Sequence, residues 1–367
     1  REYPGAEPSA WSMPLKTSGL RPGEHRLSLY VWASEKGEAY FLARRTLTVQ
    51  TAEAVRAART VSLGAADLSA SFTTAAGRIR EHQQAPGYWL TTFTGTTRFE
   101  QPHDEMNTFL TSVLVDLIDP LTASAGLRES VALARQHLTA QIEPGGLVRY
   151  HGLPDGPGIG TLGCAITPDT DNTALVWRIA PGQDRRHLSA ALTTLDGYRT
   201  NDGLYRTWLS ARGAYQCIDP GRDPNPADIA IQMHLLQLLL TEQPSSGRAL
   251  CEALGRRVDD DQVWVYYRLA PLVPILRGKD LEPAGCHLNL PAARTQTTVP
   301  GQEIWVSVVR LLSGASRSEV QGPGADVTTL LRTLANADFA LLRQNPPLLY
   351  HNDLTATVPR YYWSEDV

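Results

Sequence analysis

Two carboxylates, Asp169 and Asp171, stand two residues apart in "PDTDNTALV", with Asn172 beside them and an apolar run behind. A carboxyl buried next to a second carboxylate is disfavoured as an anion by desolvation and by repulsion, so it keeps a proton at neutral pH. Such an acid could protonate a group as weakly basic as an alkene. Asn172 or a nearby histidine would sharpen it by hydrogen bonding, and aromatic faces would stabilise the carbocation that forms. The same residues also have a purely structural use, because Asp and Asn side chains accept from the free N–H groups of a helix's first turn. The stretch therefore reads either as an acid pair or as an acidic cap on a buried helix. Which reading holds depends on whether the rest of the chain builds a cavity for the acids to face.

The elements that would position these residues show in the hydrophobic periodicity. From Leu20 to Gln50 apolar and polar side chains alternate on either side of "SEKGE", the pattern of a strand pair with a tight turn. After Thr51 the alternation stops and helical spacing begins. Leu127, Val131, Ala134 and Leu138 form one stripe, and Leu188, Leu192 and Leu195 another, as in helices with one wet face. Between them "MNTFLTSVLVDLI", "NTALVWRI" and "ADIAIQMHLLQLLL" are apolar nearly all round. Alternation of buried and half-exposed helices, with no strands read between them, predicts two concentric rings, an α/α toroid over 65–367. Residues 1–52 are read as a small β-appendage, a hairpin or immunoglobulin-like fragment.

An internal repeat supports the ring. Gly87, Gly146 and Gly203 each open a glycine-plus-aromatic element, and Asn107, Asp171 and Asp228 follow at the heads of buried helices, the last two at the same interval of 25 residues. Helix heads that share one end of a ring line one mouth. Asn107, Asp171 and Asp228 are therefore expected to converge there, with Tyr88, Trp89, Tyr150, Tyr205 and Trp208 as an aromatic wall.

"QAPGYW", Gln84 to Trp89, resembles the Q-x-x-G-x-W element of squalene-hopene cyclases and related triterpene cyclases, and "PDTDNTALV" resembles their P-D-x-D-D-T-A motif. The resemblance implies a terpenoid-cyclase-like toroid in which Asp171 is the acid that starts polyene cyclisation and Asp169 its supporting carboxylate. It also implies that Asn172 completes the catalytic set. Trp89, Asn107, Tyr150, Tyr205, Trp208 and Asp228 would line the cavity around a small apolar substrate, with no cofactor and no metal. The chain departs from the family in two ways: Asn172 replaces the last Asp, and the sequence suffices for one barrel where the cyclases have two helical domains.

A reading of another class is an extracytoplasmic α/α-barrel module that binds glycans or peptides, or cleaves glycans, without cyclase activity. Barrel folds host unrelated functions. In a glycan-cleaving version Asp171 and Asp228 would be the two carboxyls. A prenyltransferase-like zinc site would draw on Cys217 and Asp219. Cys286 and His287 could likewise ligate zinc with Cys217 or Cys251, although the four cysteines form no short C-x-x-C pair and read as buried or unreactive thiols.

Composition narrows the partners. With 34 basic against 38 acidic residues, a formal charge of −4 and no basic block, the chain lacks the footprint of a nucleic-acid binder. Its apolar runs fall short of the roughly 20 residues that cross a bilayer. It opens on Arg1, as a processed or excised piece of a larger precursor would, and an extracytoplasmic or membrane-associated setting is one option for that precursor. Oligomeric state is not legible in the sequence.

Overall fold

A computed structural model of the chain describes residues 23–33, 38–49, 65–94, 103–156, 158, 165–180, 184–218, 223–267, 272–291, 306, 308–309, 350–351 and 362–364. The chain divides into two compact units, Arg1–Ser62 and Leu63–Val367. In the first, β1 (Gly23–Ala33) and β2 (Glu38–Val49) pair antiparallel, with a register shift between Leu29 and Tyr30. The expected turn "SEKGE" and the remainder of the β-appendage fall mostly outside the described residues.

The second unit is mainly helical. Its helices are α1 (Ala65–His82), α2 (Thr108–Ile118), α3 (Arg128–Ala140), α4 (Thr170–Ile179), α5 (Arg185–Gly197), α6 (Ile229–Glu242), α7 (Pro244–Gly255) and α8 (Leu272–Leu281). Helices α2, α4 and α6 are buried nearly all round, whereas α3, α5 and α7 bury one stripe each. Helix α4 packs between α2 and α6, and α8 packs against α6. On the outside, α3 covers α2 and α4, α5 covers α4, and α7 covers α6. Trp89, Phe109, Leu138, Leu175 and Val273 centre one half of the core, and Trp177, Leu195, Met233, Leu250 and Trp264 the other.

The repeat is built from hydrogen bonds. After α1, α3 and α5 the chain makes the same turn: Gly87, Gly146 and Gly203 donate to the carbonyls of Gln84, Glu143 and Thr200. The N–H groups of those three residues return to the carbonyls of Tyr88, Leu147 and Leu204. All three glycines have positive φ, 104°, 79° and 90°. Two residues further on, the N–H of Trp89, Val148 and Tyr205 donates to Thr111, Thr173 and Gln232 at 3.4, 3.0 and 2.8 Å. Each acceptor stands one helical turn beyond the N-cap of the following buried helix. Every glycine also abuts the next outer helix: a Cβ on Gly87 would meet Leu133 O of α3, on Gly146 His187 O of α5, and on Gly203 Ala253 of α7.

Helices α2 and α4 lie parallel, since they touch at both ends. Thr108 of the α2 head bonds Asn172 of the α4 head at 2.7 Å. At the tails Asp116 takes a bidentate pair from Arg178 at 2.6 and 2.7 Å, and a further bond from Arg277 of α8. Burial pushes the Asp116 carboxyl up, but the two guanidiniums outweigh it and hold it at about 2.

Two expectations are corrected. The second unit is not purely helical: β3 (Leu90–Thr94), β4 (His103–Met106), β5 (Tyr350–His351) and β6 (Tyr362–Ser364) form one sheet in the order β4-β3-β6-β5. These strands are two to five residues long and come from the two ends of the unit, so no local periodicity announces them. The three described cysteines are not thiols either. Cys251 and Cys286 form a disulfide across 35 residues, and Cys217 is also disulfide-bonded. An oxidised Cys286 offers no thiolate, so the zinc arrangement with His287 is excluded.

Gly146→Ala is expected to destabilise the protein by at least about 1–3 kcal/mol, since a Cβ there would stand 2.1 Å from His187 O on a left-handed backbone. Gly145→Ala, with nothing within 4 Å, is the control, and urea unfolding measures both. Replacing Cys251 and Cys286 together by serine should lower stability by about 3–4 kcal/mol, the loop-closure value for a bridge of this span. Calorimetry that finds the double variant as stable as the parent would contradict this.

Candidate active site

The structure separates the cap from the acid. Asp169, not Asp171, is the N-cap of α4, and its carboxylate accepts from the N–H of Asn172 at 2.7 Å. Asn107 caps α2 in the same way, accepting from Leu110 N, and Asp228 caps α6, accepting from Ala230 N. The expected equivalence of Asn107, Asp171 and Asp228 is therefore two residues out of register in the middle unit, and the shared interval of 25 residues is fortuitous. A cap reaches the second or third residue of its helix, and in "DTDN" the first Asp spans that distance to Asn172. Asp171, in the first turn, is left free of capping.

Its carboxylate is held instead by side chains from elsewhere. His234 of α6 meets Oδ1 through Nδ1, and the Tyr267 hydroxyl donates to Oδ2 at 3.3 Å. Phe109 of α2 lies edge-on to the His234 ring at 6.1 Å and tilted to the Tyr267 ring at 6.5 Å. Burial pushes Asp171 up to about 7, against the lowering influence of the Tyr267 hydroxyl and of Arg277. His234, fully buried and facing Arg277 and Arg178, is held well below the usual imidazole value. The imidazole is thus neutral. Donating from Nδ1 to Asp171 leaves a bare lone pair on the buried, unpartnered Nε2, which is less costly than an orphaned N–H. Asp171 keeps 7% exposure, against 3% for Asp169 and none for Asp228, so it is the most accessible of the three.

The other expected residues divide into neighbours and core. Asn172 donates to both Asp169 oxygens at 2.9 Å and accepts from Thr108 at 2.7 Å. Asn107 donates to the Tyr150 hydroxyl at 3.0 Å, and that hydroxyl donates to Glu105 at 2.6 Å, which His151 also meets at 3.2 Å. This cluster joins the acids through Thr108. Trp208 bridges the backbone at Asp169, and its indole donates to Asp223 at 2.8 Å. Trp89 and Tyr205 sit in the core: the Trp89 indole donates to Ile79 O, and the backbone of Tyr205 is held by Gln232. Asp228 is wholly engaged, accepting from Ala230, Val265 and Tyr266, so it ties the 264–267 segment to the α6 head instead of lining a wall.

Sequence reasoning missed His234, Tyr267 and Thr108. His234 did leave a trace, as the lone imidazole inside "IAIQMHLLQLLL". Among the described residues no group of three or more His, Cys, Asp or Glu could hold a metal ion, and no helix is long and apolar enough to cross a membrane.

No known protein family and no curated protein matches the chain by sequence. The solved structures that are distantly similar in fold include the following two. A protein from Actinoplanes is 14% identical, over 74% of this chain and 78% of that one, with a TM-score of 0.42. A variant of the type II terpene cyclase MstE from Scytonema, in complex with its substrate geranylgeranyl dihydroxybenzoate, is 14% identical, over 75% and 78%, also at 0.42. At that distance neither likeness bears on the chemistry of the site, which rests on the residues themselves.

The raised carboxyls predict the pH dependence of stability. Burial holds Asp228 at about 7 despite three N–H donors, as it does Asp171. Between their ordinary value of 3.8 and about 7 the folded state keeps protons that the unfolded chain has lost. This contribution to stability therefore falls as pH rises and is gone above the folded values. His137, lowered by burial to about 4, and His234 slope the opposite way, but chiefly below 6.5. Urea midpoints should fall between about pH 6.5 and 7.5, and less steeply in Asp171→Asn; a rise over that interval would contradict the burial of these acids.

Proposed function

We propose that this chain is a terpene-cyclase-like protein in which Asp171 protonates an isoprenoid or polyene to start its cyclisation. The observation that carries this reading is the state of Asp171: a buried carboxyl excused from capping, beside a second carboxyl and gripped by two side chains from other elements. His234 donates to Oδ1 and Tyr267 to Oδ2. Both bonds strengthen as the proton leaves, so they stabilise the conjugate base and sharpen the acid. Phe109 and Tyr267 offer aromatic faces to the cation. The substrate is a small apolar molecule, and the chemistry draws on no cofactor.

The architecture that goes with this reading is a closed α/α toroid over 65–367, with residues 1–52 as a separate β-appendage. Closure is supported by β6, near the chain end, pairing with β3 just before α2. Packing of Val306 and Val309 against the core half that contains α2 and α4 supports it too.

A second reading, an extracytoplasmic barrel that binds glycans or peptides, is favoured by the disulfides, which persist in oxidising compartments. Its glycan-cleaving version is disfavoured, because Asp228 is fully engaged with backbone N–H groups.

Asp171→Asn tests the main reading, since the cap at Asp169 is untouched. Against a panel of prenyl and polyene substrates, turnover should fall at least about 1,000-fold while the melting temperature at pH 6 changes little. Asp228→Ala should do the reverse, lowering stability by about 1–3 kcal/mol through loss of a cap and a tether. Full turnover in Asp171→Asn would remove the acid, and glycan binding by a wild type inert to every polyene would favour the second reading.

A further inference from the structure

We propose that Thr108 and Asn172 are positioning residues which decide where the proton shared by the two acids resides, and that they place it on Asp171. The inference rests on the reading of Asp171 as the acid, and it begins from the side-chain amide of Asn172. That amide lies between two neighbours: Oδ1 is 2.7 Å from the Thr108 hydroxyl, and Nδ2 is 2.9 Å from both oxygens of Asp169. The backbone N–H of Asn172 also reaches Asp169 Oδ1 at 2.7 Å, and that of Asp171 points to the same carboxyl. Among the described residues, each hydrogen-bond partner of the Asp169 carboxyl is thus an N–H donor. An ionised carboxylate accepts from all of them, whereas a protonated carboxyl would bring its own hydrogen against them; Asp171, by contrast, meets the Tyr267 hydroxyl, which can accept as well as donate.

What keeps the amide in this sense is Thr108. Its hydroxyl has one hydrogen and three acceptors in reach, the amide oxygen of Asn172 at 2.7 Å, Arg149 O at 2.9 Å and Tyr150 O at 3.3 Å. The shortest of these bonds orients Asn172. A reversed arrangement is chemically complete: with the amide turned over, Nδ2 would donate to Thr108, Thr108 to Arg149 O, and the amide oxygen would accept a proton held by Asp169. Amide orientation and proton location are therefore one variable with two values. Burial and the charge of Asp171 raise Asp169, the deeper acid, to about 8, above Asp171 at about 7, and so pull the proton toward Asp169. The N–H donors around Asp169 pull the other way, toward Asp171, and Thr108 holds in place the side-chain one among them, the one able to turn over.

The replacement of the expected Asp by Asn172 gains a purpose here. A third carboxyl at 172 would be another place for the proton, but an amide cannot titrate and acts only as director. In turnover, the proton on Asp171 passes to an alkene carbon, the π electrons form the new C–H bond, and Asp171 is left as the carboxylate. Asp169 begins and ends that step as an anion.

Infrared difference spectra of the full chain at pH 6, without substrate, read the proton directly through the C=O stretch of a protonated carboxyl. The protonated band lost between wild type and Asp171→Asn should be absent from the wild type minus Asp169→Asn difference. Thr108→Val, close in shape, should move the lost band to the Asp169→Asn difference in that background and lower kcat at least tenfold at unchanged KM. Thr108→Ser should restore both. A band that disappears with Asp169→Asn in the wild-type background would overturn the placement, as would a Thr108→Val protein with unaltered spectra and kcat. A wild type with its proton on Asp171 and no turnover of any polyene would support the placement and overturn the cyclase reading alone.

Discussion

A helix that begins away from water brings backbone N–H groups with no partner inside the helix, and they must be satisfied by whatever side chains stand at its head. In this chain three such heads, those of α2, α4 and α6, are buried together. That requirement explains most of what surrounds them. Asn107, Asp169 and Asp228 cap the heads, and Thr111, Thr173 and Gln232 one turn further in receive the N–H groups of the preceding connecting segments. The segments are thereby laid across neighbouring heads, as when Thr108 and Thr170 donate to the carbonyls of Tyr150 and Thr207. Glycines with positive φ then bring each segment against the next outer helix.

Placing acids at such heads has an electrostatic consequence. The first turn of a helix favours negative charge, yet a carboxylate cut off from water is raised in pKa unless donors surround it. Asp228 meets this with backbone donors and Asp169 with Asn172 and the neighbouring backbone. Asp171 meets one hydroxyl and one neutral imidazole among the described residues. Burial still outweighs these donors, so all three carboxyls stay raised. At the tails of the same helices the opposite solution appears, with Asp116 fully ionised between Arg178 and Arg277. A charged, interlocked end and a proton-holding end thus share one bundle.

Much of this was legible in the sequence. The alternation of all-round apolar and striped helices follows from residue spacing alone, and Leu127, Val131, Ala134 and Leu138 are buried as their spacing requires. The glycine turns were visible as a repeat because the left-handed backbone restricts the residue type. The special standing of "DTDN" was visible too, since acids are rarely placed at the start of an apolar run without a cap or a reaction to explain them.

What stayed hidden depends on distance through space. Which Asp caps α4 is a matter of two residues, decided when Asn172 and the 148–150 segment close on Asp169. His234 and Tyr267 lie 63 and 96 residues from Asp171 and Thr108 lies 64 from Asn172, and the disulfide of Cys251 joins a partner 35 residues away. The short strands at the ends of the second unit pair across more than 250 residues. Local spacing determines which residues can form a helix, a turn or a cap, because those bonds close within a few residues. The partners of Asp171 are set by how the helices pack, and only the tertiary structure decides that.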